Sequence, residues 1–214
     1  MSEIILVIGN KNYSSWSLRP WLALKQTGEP FQEIRIPIHQ ENSLKEILKY
    51  SPSGRVPVLI DGENKVWESL AICEYLAERF PKINLWPSDS RARGVARSIS
   101  NEMHAGFQAL RKNMPMNIRE RSPKKKFGKD VQDDVNRITG IWRDARENFG
   151  SGGPFLFGHF TIADAMYAPI VTRFVTYGVK VDPISETYMK TILALPAMKE
   201  WMKAASEEKE VIVH

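Results

Sequence analysis

The 214-residue sequence contains a single cysteine, Cys73. One thiol excludes an intramolecular disulfide, a Cys-x-x-Cys redox pair and a zinc site built from cysteines. Long apolar runs are also missing. No window reaches the roughly 18 uninterrupted apolar residues that mark a membrane span. The N-terminus shows no basic segment followed by an apolar run and a small-residue cleavage site. The expectation is an uncleaved cytoplasmic protein with no membrane partner. Charge of one sign is scarce too: 30 Lys and Arg against 25 Asp and Glu leave +5. The basic residues are interleaved with acids and not gathered into the concentrated patch or module that nucleic acid demands, so no nucleic-acid partner is expected. The densest run, Lys124 to Lys126, follows Pro123 and reads as a solvated turn leading into a helix. Internal repeats and low-complexity tracts are absent as well.

What remains is a chain that is 43% hydrophobic, long enough for one large domain or two small ones. Ile4 to Ile8 is a continuous β-branched and leucine run bounded by Gly9 and Asn10, the pattern of a covered strand. A polar loop, Asn10 to Ser17, follows. Leu18, Trp21, Leu22 and Lys25 then take helical spacing, with Pro20 in the first turn and Gly28 closing the helix. Phe31 to Ile38 alternates apolar with polar and predicts a second strand. Ser43 with Glu46 forms a capping-box pattern for a second helix carrying Leu44, Ile47 and Leu48, ended by Pro52 and Gly54. Val56 to Ile60 predicts a third strand, Asp61-Gly62 a hairpin connection, and Lys65 to Glu68 a fourth strand. A third helix runs from Ser69 to Arg79 and stops at Pro81. Its apolar set, Leu70, Ile72, Cys73 and Leu76, marks Cys73 as a buried, inert thiol.

The order is therefore βαβ then ββα, and the crossover helix implies that the first two strands are parallel. Beyond a connecting stretch around Pro87 the pattern is helical throughout: Asp89 to Asn113, Lys129 to Phe149, Thr161 to Tyr177, Ser185 to Leu193 and Pro196 to Ala205.

Several short features have both a structural and a functional reading. Val56-Pro57 can be a simple strand entry. Glu68-Ser69 can be a strand end followed by an N-cap, although the orphan N–H groups of a helix start also attract anions. Ser14, Ser15 and Ser17 can cap the first helix, yet their loop also follows a strand on the usual ligand side of an open α/β sheet. Thr161 and Asp164 are a capping box, a matter of folding. Met103, His104, Phe107, Leu110 and Arg111 fall on one face at helical spacing, which suits a core or interface stripe.

Taken together, the βαβ-ββα order, the Val-Pro pair opening the third strand and the Glu-Ser pair opening the third helix resemble the glutathione S-transferase family over essentially the whole chain. Ser14-Ser15-Trp16-Ser17-Leu18-Arg19 is similar to the zeta-class Ser-Ser-Cys-Ser-x-Arg motif of maleylacetoacetate isomerases, with Trp16 where that class has cysteine. The resemblance implies an α/β thioredoxin-like N-terminal domain (residues 1–81), a linker (82–88) and an all-α C-terminal domain (89–214). It also implies glutathione as co-substrate, no metal, and a homodimer.

It implies a set of site residues in turn. Ser14 is the expected catalytic hydroxyl, with Ser15 and Ser17 next and Tyr13 a rival donor. A hydroxyl donating to sulfur favours the thiolate over a thiol whose reference pKa is about 8.5, and the positive end of the first helix and Arg19 would assist. Pro57 is cis in the family, which turns the backbone of Val56 outward to pair with an extended peptide. Ser69 would hold the γ-glutamyl carboxylate, Glu68 the ammonium group, Arg55 the glycyl carboxylate, and Asn42 or Gln40 the same end. Trp16, Met103, Phe107 and Arg111 would line the pocket of a small hydrophobic or anionic electrophile. The activity implied is a detoxifying glutathione transferase. Two alternatives accompany it: a glutathione-dependent cis-trans isomerase of maleyl-type acids, and a non-catalytic regulatory protein on the same fold. Thiol exchange would need a cysteine near the first helix, and the loop has none.

Overall fold

The computed structural model describes residues 3–123 and 126–212, so Lys124 and Lys125 of the basic run lie outside the described residues. The apolar run β1 (Ile4–Ile8) takes an interior place in a four-stranded sheet of order β2-β1-β3-β4. It pairs in parallel with β2 (Phe31–Arg35), Ile4 opposite Phe31, and antiparallel with β3 (Val58–Asp61), Ile4 opposite Asp61. The hairpin partner β4 (Asn64–Trp67) forms the edge. Three helices belong to this part: the crossover α1 (Ser15–Thr27), the short α2 (Ser43–Leu48) and α3 (Ser69–Arg79).

Alternation along the strands sorts side chains to two faces. Leu6 and Ile8 point into the main core with Leu18 and Leu22 of α1 and Ile72 of α3. Val7 and Val58 point the other way, into a smaller cluster with Ile36 and Ile47. The main core runs unbroken into the helical part, through α4 (Ser90–Ala105), α5 (Gln108–Asn113), α6 (Lys129–Phe149), α7 (Ile162–Tyr177), α8 (Pro183–Ala194) and α9 (Pro196–Glu207). Trp142, Tyr167 and Trp201 are fully buried there. Residues 82–88 are not loose: Leu85 and Trp86 are buried, and the Leu85 carbonyl accepts the Ile162 N–H at 2.8 Å. Among the described residues no helix is long and apolar enough to cross a membrane.

Several boundaries differ from the sequence pattern, each for a local reason. Helix α1 begins at Ser15, because Ser14 is already its N-cap and accepts the Ser17 N–H. Pro20 therefore stands in the second turn and not the first, where its missing N–H deprives the Trp16 carbonyl of its helical donor. The Ser43/Glu46 capping box does not form. Asn42 holds the N-cap position without a side-chain bond, while Ser43 accepts the Gln40 N–H and donates to the Pro37 carbonyl, both at 2.7 Å. Strand β3 starts only at Val58, after a proline that cannot donate to a ladder.

The largest departure is in the helix expected over Asp89 to Asn113. It breaks at Gly106 and at Phe107, which sits at φ 61°, so α4 and α5 are separate and their residues share no single face. Arg111 folds back across the break and donates to the carbonyls of Met103 and Gly106, satisfying the end of α4. The Thr161 and Asp164 box forms in both directions. Asp164 is fully buried and also accepts the Leu156 N–H.

Candidate active site

The loop from β1 to α1 places the serine group. Gly9 is needed for close approach: a Cβ there would meet Ser14 Cβ and Val56 Cγ2 at 3.2 Å and Ile38 Cγ2 at 3.0 Å. The chain then turns about Asn10, whose carbonyl accepts the Ser14 N–H at 2.8 Å. Ser14 is 5% exposed, and its hydroxyl donates to Ser17 Oγ at 2.7 Å while accepting the Ser17 N–H at 3.3 Å. Ser17 Oγ also accepts the Gly9 N–H at 3.0 Å. Ser14 lines a groove of about 420 Å³ with Trp16, Leu44, Arg55 and Val56. The neighbouring hydroxyls face elsewhere. Ser15 Oγ accepts from the Arg173 guanidinium at 3.2 Å, and Tyr13 Oη accepts from Arg119 at 3.0 Å.

A second cavity, of about 320 Å³, adjoins this groove and shares Trp16, Arg55 and Val56 with it. Pro57, Glu68, Ser69 and His104 complete its wall. The Val56-Pro57 bond is cis. Glu68 follows β4 as the N-cap of α3 at φ 71°, in the left-handed region, a strain of about 1 to 3 kcal/mol for a non-glycine residue. That backbone turns the chain into α3, so Ser69 becomes the first helical residue. Its hydroxyl is buried with no hydrogen-bond partner among the described residues, beside the orphan N–H groups of the helix start. The exposed Glu68 carboxylate lies 3.8 Å from His104 Nε2. Asn42 and Gln40 line neither cavity, whereas Ser43 and Leu44 of α2 line the groove.

Trp16 is the hub of the other half. Its ring lies 4.4 Å from the Arg19 guanidinium carbon, 4.8 Å from that of Arg111, and edge-on to His104 at 5.3 Å. Arg19 is fully buried, and all three of its guanidinium nitrogens are without a hydrogen-bond partner among the described residues. Burial, then the neighbouring charges of Arg111 and Arg173, pull its pKa well below the ordinary arginine range. Burial and Arg111 bring Arg173 down to about 9, still charged at neutral pH. Burial also lowers the Arg111 pKa. For His104, burial and then Arg19 lower the pKa, which favours the neutral imidazole. Three guanidiniums thus act on one another, and the carboxylate whose charge opposes this at Arg111 is Asp134, which accepts the Leu110 N–H of α5.

Of the residues expected at the electrophile pocket, Trp16 lines both cavities. Arg111 reaches the Trp16 ring from α5 while also closing the end of α4. Met103 and Phe107 belong to the main core; His104, one residue on from Met103, lines the cavity. Sequence spacing misses this because it treats α4 and α5 as one helix. It also misses Arg173. The available signal is that Arg173 is the one Lys or Arg of the largely buried α7.

Comparison with known proteins places this geometry. Residues 13–79 match the model of the glutathione S-transferase N-terminal domain, and residues 102–204 that of the C-terminal domain. A zeta-class glutathione S-transferase of Euphorbia esula is 27% identical over 158 residues, 72% of this chain and 66% of that protein. A probable maleylacetoacetate isomerase of Caenorhabditis elegans is 37% identical over 97 residues, 45% of this chain and 44% of that protein. The match thus spans just under two thirds of the first relative and less than half of the second. The crystal structure of a glutathione transferase homolog from Burkholderia with bound glutathione shares the fold, with a TM-score of 0.72 at 23% identity over 96% of this chain and all of that one.

Proposed function

From the premise that the chain belongs to the glutathione S-transferase family, as its matched N- and C-terminal domains establish, we propose that it ionises the glutathione thiol through the Ser14 hydroxyl and adds it to a small electrophile. The observation that carries this is the place of Ser14, a buried N-cap that opens onto the groove walled by Val56. The cysteinyl backbone of glutathione pairs with the main chain of Val56 as a strand edge would. The γ-glutamyl carboxylate takes the unpartnered Ser69 hydroxyl and the start of α3, its ammonium group faces Glu68, and Arg55 meets the glycyl carboxylate.

The proton inventory is workable. Ser14 keeps the Ser17 N–H on its oxygen and rotates its own O–H from Ser17 to sulfur, while Ser17 Oγ retains the Gly9 N–H. The thiol proton passes to solvent, the O–H and the positive end of α1 stabilise the thiolate left behind, and the thiolate then attacks the electrophile. Conjugation of glutathione to a generic aryl halide, wild type beside Ser14→Ala, is the test. A loss of about tenfold or more in kcat at neutral pH, recovered as pH rises above the free thiol pKa, is expected. An unchanged rate would move the role to Ser15, Ser17 or Tyr13.

The arginine cluster favours a second reading within the same site. Three neighbouring guanidiniums, one of them without a hydrogen-bond partner among the described residues, suit an electrophile that carries carboxylate groups. Reversible thiolate addition to a maleyl-type acid, rotation about the resulting single bond and elimination would isomerise the double bond without net conjugation. A panel of such acids beside neutral aryl halides separates the two: isomerised product with glutathione unconsumed marks the isomerase. Binding of glutathione without turnover of either class would mark a regulatory protein. We place the domain boundary within 82–88 and expect a homodimer, which light scattering of the purified protein tests.

A further inference from the structure

The segment that follows α9 closes onto the loop that carries Ser14. Glu208, whose side chain is 6% exposed, accepts the Lys11 N–H at 2.6 Å and the Asn12 N–H at 3.1 Å with its two carboxylate oxygens. Two successive backbone N–H groups aimed at one anion form a nest, and charge-assisted bonds of this kind are among the stronger ones. The nest lies inside the turn that the Asn10 carbonyl closes on the N–H groups of Tyr13 and Ser14. The grip on the nest therefore passes to the N-cap of α1 through a single turn.

The segment is itself held. Arg119 donates to the backbone carbonyls of Glu208 and Glu210, and to Tyr13 Oη. Arg35 of β2 donates to the Glu210 carboxylate at 2.9 Å. Other groups complete the clamp on the loop: Trp201 Nε1 donates to the Lys11 carbonyl, and the Arg119 N–H to Asn12 Oδ1, both at 2.9 Å. A loop carrying the reacting hydroxyl thus has its inner turn satisfied by a residue about two hundred positions away in sequence.

We propose that residues 208–210 are a strap that positions the catalytic loop, with the Glu208 carboxylate as the positioning residue that sets the aim of the Ser14 hydroxyl at the thiol. The proposal rests on Ser14 being that hydroxyl. Glu208 touches neither glutathione nor the electrophile, and it acts through the Lys11-Asn12 nest.

The readout is the pKa of enzyme-bound glutathione, followed by thiolate absorbance against pH, with kcat and KM for glutathione beside it. Glu208→Ala is expected to raise that pKa by about one unit, with kcat at neutral pH down about tenfold and restored at high pH. KM for glutathione should stay within about twofold, because the γ-glutamyl and Val56 contacts are untouched. Glu208→Gln keeps the shape and one acceptor oxygen, so it should fall between wild type and Glu208→Ala; it carries the test if the alanine variant does not fold. In the double variant with Ser14→Ala, loss of Glu208 should add no further shift. A lowered melting temperature with an unshifted thiol pKa in the folded Glu208 variants, while Ser14→Ala does shift it, overturns the strap alone. A further shift in the double variant also overturns it, since Glu208 would then act on something other than Ser14. An unshifted pKa in Ser14→Ala itself overturns the serine mechanism and the strap together.

Discussion

Around Val56 and Ser69 the site offers main chain, a helix start, one hydroxyl and the charges of Arg55 and Glu68, all from short stretches next to β3, β4 and α3. Around Trp16 stand the side chains of Arg19 from α1, His104 from α4 and Arg111 from α5, while Arg173 of α7 donates to Ser15 Oγ. The first kind of surface recognises a ligand by its peptide character and tolerates change at most side chains. The second kind is set residue by residue, so it can be retuned for another electrophile without disturbing the first. On the proposed function, grip on glutathione and choice of electrophile fall to different residues, with Trp16 the wall that both cavities share.

Substitutions should divide along that line. Arg111→Met removes the charge 4.8 Å from the Trp16 ring while keeping length, and should cost an anionic electrophile about a hundredfold in kcat/KM. It should leave KM for glutathione within about twofold; steady-state kinetics with a carboxylate-bearing and a neutral electrophile in parallel would show it. A loss shared equally by both electrophiles would break the division. Ser69→Ala is the converse. It takes one hydroxyl from the γ-glutamyl end, and a rise of about tenfold in KM for glutathione is expected, with electrophile selectivity unchanged.

Arg19→Met sharpens the comparison through stability. A fully buried guanidinium without a hydrogen-bond partner is costly, so an apolar replacement of similar length should raise the melting temperature by about 2 to 4 °C. The same change should weaken binding of an anionic electrophile, and a calorimetric scan beside a binding titration measures both. A lower melting temperature would mean that Arg19 is satisfied in the free protein.

The smallest effect is expected of His104→Gln. The folded-state pKa of His104 lies below its ordinary value of 6.5, chiefly through burial. The native state therefore binds fewer protons than the unfolded chain. The stability this contributes is present above pH 6.5 and is lost as pH falls through that value toward the folded pKa. The variant should show a shallower decline in melting temperature between about pH 7 and pH 5. His104 is partly exposed, so solvent screening keeps the difference slight.

Local chemistry explains which parts were legible from sequence. Helices α3 and α6 run as the spacing predicts, because Ser69 after a strand and Gly128 and Gly150 around an amphipathic run are short-range signals. The parallel β1/β2 pair follows from the crossover helix alone. By contrast, the break between α4 and α5 rests on Phe107 adopting a left-handed conformation that nothing in its neighbours requires, and on Arg111 closing a helix end from beyond the break. The site shows the same contrast. Val56-Pro57 and Glu68-Ser69 stand out as pairs, whereas Arg173, Arg119 and Glu208 gain meaning only when the helical part folds against the loop that carries Ser14.

Gly9 brings that loop and the Val56 segment within touching distance, with no side chain of its own between them. The spacing between Ser14, the proposed activator of the thiol, and Val56, the proposed grip on its backbone, is thereby set at a single point. An added methyl there would push against Ser14, Val56 and Ile38 at once. In an engineer's terms it is the datum from which both working surfaces are measured: selectivity can be redesigned freely around Trp16, while position 9 has to stay bare.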